Sequence, residues 1–357
     1  MNDGPPLSPL AQAFAQGPGW FPQQMDAATD RVLLVRMSEE AYRTASFLDQ
    51  RMLTQQSQAQ WASWSELGAA DQATRRDAHF IFHIGHVGST LIARLLGELD
   101  GVFALREPQI LRNFADLAAD YGQPHAVWSP EVFDARLETV IGWLSRTFAP
   151  NDRAQIKASS FVSEIAEQLI GPDLKALMLR VSPQRYIETI LAGDNSRQEL
   201  AMLASQRLRR LHVRLGSESW RLWELPEATR AAMSWLSEMM AMDAAATATP
   251  NGHIHWLDFD DFLGNPVDRL AETAAFFGIA ADKPTITSLT GGPIMTQYSK
   301  APEHGYSRDM RESLLAEARA THADGIAEAL TWLNDAADRH PPIAAMMARH
   351  ASRDTET

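Results

Sequence analysis

From residue 79 onward the chain alternates short apolar runs with amphipathic ones, and this alternation restricts the fold more than any other feature. His79-Phe-Ile-Phe-His-Ile84, Val102 to Leu105, Ala154 to Lys157, Leu174 to Arg180 and His253-Ile-His-Trp-Leu-Asp258 are each strand-sized. Between them lie runs of helical periodicity: Leu91 to Leu99, a segment opening near Pro108, residues 130–148, Phe161 to Ile170, Pro183 to Leu191, nearly all of 195–246, and Pro266 to Phe277. Continuous apolar strands alternating with helices predict a parallel sheet covered on both faces, so the expected fold class is α/β. Ligands of such sheets sit beyond the carboxyl ends of the strands. The residues just after each strand therefore carry most of the functional information.

The rest of the chain arranges itself around that unit. Residues 1–75 read as an amino-terminal arm and cap on the main domain, 76–340 as the α/β domain, and 341–357 as a closing helix and polar tail. The first ~25 residues, rich in Pro, Gly, Ala and Gln, read as a loose arm. Arg31 to Arg36 is a short strand candidate, and Ser38-Glu39-Glu40 opens a helix reaching through Phe47 to Met52, its acids placed where the helix dipole favours them. Trp61 and Trp64 suggest a second short helix. Met310 to about Arg339 reads as long-period helix.

Composition removes several function classes. With 32 basic and 45 acidic residues the net charge is −13, which opposes broad adhesion to nucleic acid or to an anionic membrane. The absence of cysteine excludes disulfides, thiolate zinc sites, iron–sulfur clusters and a cysteine nucleophile. His83 with His86, and His253 with His255, lack a third ligand, so no metal site is expected. The start, Met1-Asn2-Asp3-Gly4-Pro5-Pro6, is no signal peptide, and the apolar runs are far shorter than a membrane span. A cytoplasmic protein is the expectation.

The first strand runs into Gly85-His86-Val87-Gly88-Ser89-Thr90. A glycine turn opening a helix presents unbonded N–H groups in the positive field of the helix dipole, a fitting cradle for phosphate or sulfate. Ordinary capping by Ser89 and Thr90 is the plain alternative. The loop does not fit a nucleotide triphosphatase, because Thr90 stands where the second glycine belongs and no lysine occurs from 79 to 99.

Phe82-His-Ile-Gly-His-Val-Gly-Ser-Thr-Leu-Ile-Ala-Arg-Leu-Leu96 resembles the 5′-phosphosulfate loop of sulfotransferases, which use 3′-phosphoadenosine 5′-phosphosulfate (PAPS). The family pattern is Lys or Arg followed by Ser-Gly-Thr-Thr or Ser-Gly-Ser-Thr; Val87-Gly88-Ser89-Thr90 matches its second half, and His86 stands at the basic position. Ile156-Lys157-Ala-Ser-Ser160 is similar to the family's Lys-Thr-Pro segment. Leu177-Met-Leu-Arg180-Val-Ser-Pro183, running to Thr189, resembles the 3′-phosphate strand–loop–helix, although Thr189 lies nine residues after Arg180 where the family has a Ser eight on. Leu257-Asp-Phe-Asp260-Asp261-Phe-Leu-Gly-Asn265-Pro266, with Phe276-Phe-Gly278-Ile, resembles the late Tyr-Glu-Asp-Leu segment. The likeness covers roughly residues 79–280.

The resemblance implies a P-loop-type, sulfotransferase-like fold with a helical carboxyl-terminal portion and PAPS as co-substrate. It implies Val87, Gly88, Ser89 and Thr90 as the sulfate cradle, with Arg180 and Thr189 on the 3′-phosphate. Lys157 and His86 would stabilise charge, and Glu107, just after the second strand, would be the general base for a hydroxyl or amine of a small-molecule acceptor. Asp258, Asp260 and Asp261 are expected to cap and orient a helix; Tyr298-Ser299-Lys300 and Arg308 are placed to close over the nucleotide. Of the ten tryptophans, those at 61–64 and 220–223 are candidates for an acceptor pocket. Two other readings stay open: an ATP- and magnesium-dependent P-loop kinase, and a non-catalytic nucleotide-binding protein with a degenerate site. The acceptor's identity and the oligomeric state are not legible.

Overall fold

A computed structural model describes residues 7–70, 75–171, 174–216, 219–296 and 307–351. Among the described residues eight strands form two sheets. The first is antiparallel, β1 (Trp20–Asp26), β2 (Arg31–Arg36) and β3 (Ala59–Ser63) in the order β1-β2-β3. The second has β4 (His79–His83), β5 (Val102–Arg106), β6 (Arg153–Lys157), β7 (Ala176–Arg180) and β8 (Ile254–Asp258) in the order β5-β6-β4-β7-β8, all parallel. This is the expected α/β sheet flanked by helices. Every residue of β4 is buried, as a strand covered on both faces must be. The chain leaves β4 towards β5 on one side and later returns to β7 on the other. The crevice of the sheet therefore lies at the carboxyl end of β4, where the glycine loop begins.

The helix Ser89–Gly97 follows that loop directly and buries its whole first turn. The helix Glu227–Ala248 runs through the centre of the helical layer, with sixteen of its residues buried; a helix apolar nearly all round belongs inside. Among the described residues no helix is long and apolar enough to cross a membrane.

Several local expectations change. Residues 7–26 are not a loose arm: Ser8 caps the helix Pro9–Ala15, and Phe14 is fully buried against Trp143 at 5.1 Å. Composition could not show this, because partners distant in sequence hold the helix: Glu66 accepts from the Ser8 N–H, and Arg146 donates to the Phe14 carbonyl. Between 38 and 52 the chain forms the helix Glu39–Thr44, capped by Ser38, and then a separate 3₁₀ turn, Gln50–Met52. Trp61 lies on β3 rather than in a helix, and Trp64 starts the helix Trp64–Ala70. Residues 160–169 make a 3₁₀ turn followed by one helical turn. The long helix near the carboxyl end is two, Arg308–Thr321 and Ala323–Arg339, broken at His322 without a glycine or proline at the break.

His79, at the amino end of β4, supplies a pH test. Burial, with the Arg153 and Lys175 charges beside the ring, pushes it down to about 4. The unfolded ring takes up its proton near 6.5, so the unfolded state binds more protons between these values. Stability therefore falls as pH drops through that window. Between pH 7 and 4.5 the wild type is expected to lose about 2–3 kcal/mol more than His79→Gln in urea titrations; parallel losses would refute the assignment.

Candidate active site

The glycine loop is built by a buried histidine. His83, the last residue of β4, accepts a hydrogen bond at Nδ1 from the Gly85 N–H (3.0 Å) and so donates from Nε2 to the Ala158 carbonyl (2.9 Å). It supports the turn; among the described residues there is no cluster of three or more His, Asp or Glu that could hold a metal ion. His86 and Gly88 then take left-handed conformations, φ 53° and 65°. Such a φ is uncommon for a residue with a side chain and persists only where the surroundings enforce it. Glycine is required at 88: a Cβ there would lie 2.0 Å from the Phe259 ring, which packs against the loop.

The residues expected as a sulfate cradle open the helix Ser89–Gly97. Val87, Ser89 and Thr90 are buried, and the Thr90 hydroxyl is buried without a hydrogen-bond partner. The N–H groups of this first turn have no carbonyl within the helix to bond.

Glu107 and Lys157 meet at the ends of adjacent strands. The β5–β6 ladder pairs Arg106 with Lys157 and continues one residue further, the Glu107 N–H donating to the Lys157 carbonyl at 2.6 Å. Glu107 turns at φ 55°, which carries its carboxylate back onto the Lys157 ammonium, and the two form a hydrogen-bonded ion pair. Lys157 is only 1% exposed. A buried ammonium needs such a partner.

The amino-terminal segment locks this corner. Leu48 donates to the Arg106 carbonyl and accepts from the Gln109 N–H. Arg106, pushed down to about 10 by burial, donates to the carbonyls of Tyr42, Arg43 and Ala45. Arg51, stacked on Phe47, reaches Glu107 Oε2 at 3.4 Å.

A pocket of about 270 Å³ opens here, bounded by Phe47, Arg51, Gly85, His86, Glu107, Arg112, Ser160 and Glu199. Glu107 and His86 thus face one cavity, with Lys157 behind Glu107. His86 is occupied on both ring nitrogens: Nδ1 meets Ser196 Oγ at 3.1 Å and Nε2 meets Glu199 at 3.2 Å. Sequence reasoning missed Arg51, Arg112, Ser196 and Glu199. Arg51 belongs to the cap, and the others sit on helices whose facing residues no local pattern reveals.

Of the residues expected on a 3′-phosphate, Arg180 and Thr189 each donate to a backbone carbonyl, while Arg180 Nε is buried without a partner. Arg180 donates to the His350 carbonyl, and Asp258 and Asp261 lie near enough to act on its charge. Thr189 donates back to the Arg185 carbonyl within its own helix. Glu188, eight residues after Arg180, is a fully buried carboxylate paired with Arg319 and Arg185. Asp258 caps the helix Phe259–Gly264, accepting from the Asp260 N–H, and burial raises it to about 6. Asp260 binds Arg185 and Arg311. Tyr298, Ser299 and Lys300 lie outside the described residues; Arg308 donates to the Leu263 carbonyl. None of the tryptophans at 61–64 or 220–223 lines the pocket: Trp64 packs with Trp128 and Trp143, Trp220 with Trp332, and Trp223 is exposed.

No family model matches the chain, and no curated protein matches it. Solved structures similar to it include sulfotransferases. The sulfotransferase domain from the curacin biosynthetic pathway is 13% identical, with 69% of this chain and 97% of that one covered and a TM-score of 0.41. A sulfotransferase from Alicyclobacillus acidocaldarius is 16% identical, covering 71% and 96% at a TM-score of 0.36. A mouse sulfotransferase complexed with PAP is 10% identical, covering 77% and 89% at 0.40. Likenesses of this size leave the chemistry to be read from this chain's own residues.

Gly88→Ala combines a positive φ with a clash against Phe259, and is expected to destabilise by about 2–4 kcal/mol. Combined with Phe259→Ala the losses should sum to less than the two alone, measured by urea unfolding; full additivity would show that the two residues do not press on one another.

Proposed function

We propose that this protein transfers a sulfuryl group from PAPS to a hydroxyl or amine of a small-molecule acceptor by in-line displacement. One observation carries the reading: Glu107 and His86, from two different strand ends, face one pocket, and Glu107 is ion-paired to Lys157 from a third. PAPS supplies an activated sulfuryl group on a good leaving phosphate. Its 5′ end fits the start of the helix Ser89–Gly97, where Gly88 allows close backbone approach and the partnerless Thr90 hydroxyl is a donor without an acceptor. Its 3′-phosphate would meet Arg180, whose Nη1 donates to the His350 carbonyl while its Nε is buried without a partner, and Thr189, whose hydroxyl donates to the Arg185 carbonyl.

This chain's residues have separable tasks. Glu107, as a carboxylate held open to the pocket, takes the proton of the acceptor's hydroxyl or amine. Lys157 fixes that carboxylate and brings a positive charge to the rim. Glu199 and Ser196 hold the His86 ring, which orients the loop. Positioning and electrostatics of this kind account for most of the catalysis in group transfers of this class.

Thermal unfolding tests the donor. 3′,5′-Diphosphoadenosine at a hundred times its dissociation constant should stabilise the fold by about 2.7 kcal/mol. Stabilisation by ATP with magnesium instead would replace the reading with the kinase, for which an engaged Arg180 is no obstacle. Glu107→Gln should keep the diphosphate response and lose at least about 100-fold in sulfuryl transfer across a panel of hydroxyl and amine acceptors. Undiminished transfer would remove Glu107 from the chemistry.

A further inference from the structure

Beneath the pocket floor lies a buried polar chain that the reading above does not use. Ser160, on the turn after β6, forms part of the floor beside Gly85. Its Oγ accepts from Arg207 Nη2 at 3.2 Å, which leaves the hydroxyl hydrogen to donate elsewhere. Arg207 is almost fully buried and pairs through Nε with Glu238 at 2.8 Å, and the other oxygen of Glu238 accepts from Ser163. The guanidinium therefore lies between its counter-ion and Ser160, with the positive side of the pair turned towards the pocket.

Tyr186 completes the set. Its ring is fully buried and its hydroxyl has no hydrogen-bond partner. Burial keeps it protonated and thus a donor. An unpaired buried hydroxyl is unfavourable unless a ligand uses it. Gly85 shows from which side a ligand would approach. Its φ is 90°, and a Cβ built on it would lie 3.5 Å from Ser160 Oγ and 3.8 Å from Tyr186 Oη. Both hydroxyls thus border the face of Gly85 that carries no side chain.

We infer that Tyr186 and Ser160, with Arg207 behind Ser160, bind the oxygens of a tetrahedral oxyanion at Gly85, the transferring sulfuryl group of the donor. The inference rests on the proposed sulfuryl transfer. It explains how a loop with His86 at the basic position, and with both nitrogens of that ring already engaged, meets the charge of the group in flight. Neutral hydroxyl donors backed by a compensated cation take the place of an exposed lysine. Arg207 touches no ligand; it is a positioning residue acting through Ser160.

The test separates PAPS from 3′,5′-diphosphoadenosine, which has no sulfuryl group. Titration calorimetry on the full chain should show Tyr186→Phe and Ser160→Ala each binding PAPS about tenfold more weakly, with the diphosphate constant within about twofold of wild type. Arg207→Lys should move the PAPS constant in the same direction and again spare the diphosphate. Without ligand, Tyr186→Phe should unfold at or above the wild-type temperature, since it removes no hydrogen bond. Parallel changes for both nucleotides, or no change for either, would overturn the inference. If wild type binds neither nucleotide, the sulfuryl-donor reading fails and inorganic sulfate decides alone: binding that disappears in Tyr186→Phe upholds the oxyanion site, and binding that is absent or unchanged rejects it.

Discussion

The β5–β6 ladder carried one residue beyond its strands is the interaction on which the candidate site depends. The Glu107 N–H donates to the Lys157 carbonyl, and Glu107 itself turns left-handed. The turn returns the carboxylate onto the ammonium of the same lysine. Backbone and side chain thereby close a small ring across two strand ends, and a lysine that would be costly to bury alone becomes tolerable. The amino-terminal segment closes around this corner through Leu48, the carbonyls held by Arg106, and Arg51. The cap is therefore one wall of the pocket and the brace of its carboxylate.

The two sides of the crevice handle charge differently. Around the pocket, cations are buried but compensated nearby, Lys157 by Glu107 and Arg207 by Glu238. Glu107 faces the cavity directly, while the Ser160 hydroxyl stands between the Arg207–Glu238 pair and the cavity, so that pair's field reaches a ligand through an oriented dipole that needs no rearrangement during reaction. On the far side, beyond β7, Arg180 is answered by a backbone carbonyl of the closing helix, and Asp258 and Glu188 occupy neighbouring buried positions. There the Arg349–Asp243–His350 cluster ties down the end of that helix, and Asp243 is held down at about 2 by the hydrogen bonds from His350 and Arg349 in spite of its burial.

Much of the fold was legible because it follows from short-range pattern. The five strands of the parallel sheet, the glycine loop with its helix, and Ser38 and Asp258 as caps each rest on neighbours within a few residues. The misreadings share one cause. The helix at Pro9–Ala15 and the strand at Trp61 owe their state to distant partners, Trp143 for the first and β2 for the second. For Arg180 and Thr189, at the expected places in a strand–loop–helix, only the structure shows that Arg180 Nη1 and the Thr189 hydroxyl meet the carbonyls of His350 and Arg185.

By itself the sequence determined the class of fold, the loop that opens the first long helix, and the strand ends where Glu107, Lys157 and His86 had to lie. Periodicity and turn chemistry are local, and they survive without knowledge of the whole. Only the tertiary structure decided which side chains share a cavity. Arg51 from the amino-terminal segment and Glu199 from a helix line one pocket with Gly85 and His86, and behind it Tyr186 approaches Gly85 and Arg207 bonds Ser160, all across large separations in sequence. A buried charge or hydroxyl is defined by what stands opposite it, and that partner is fixed by packing rather than by spacing along the chain.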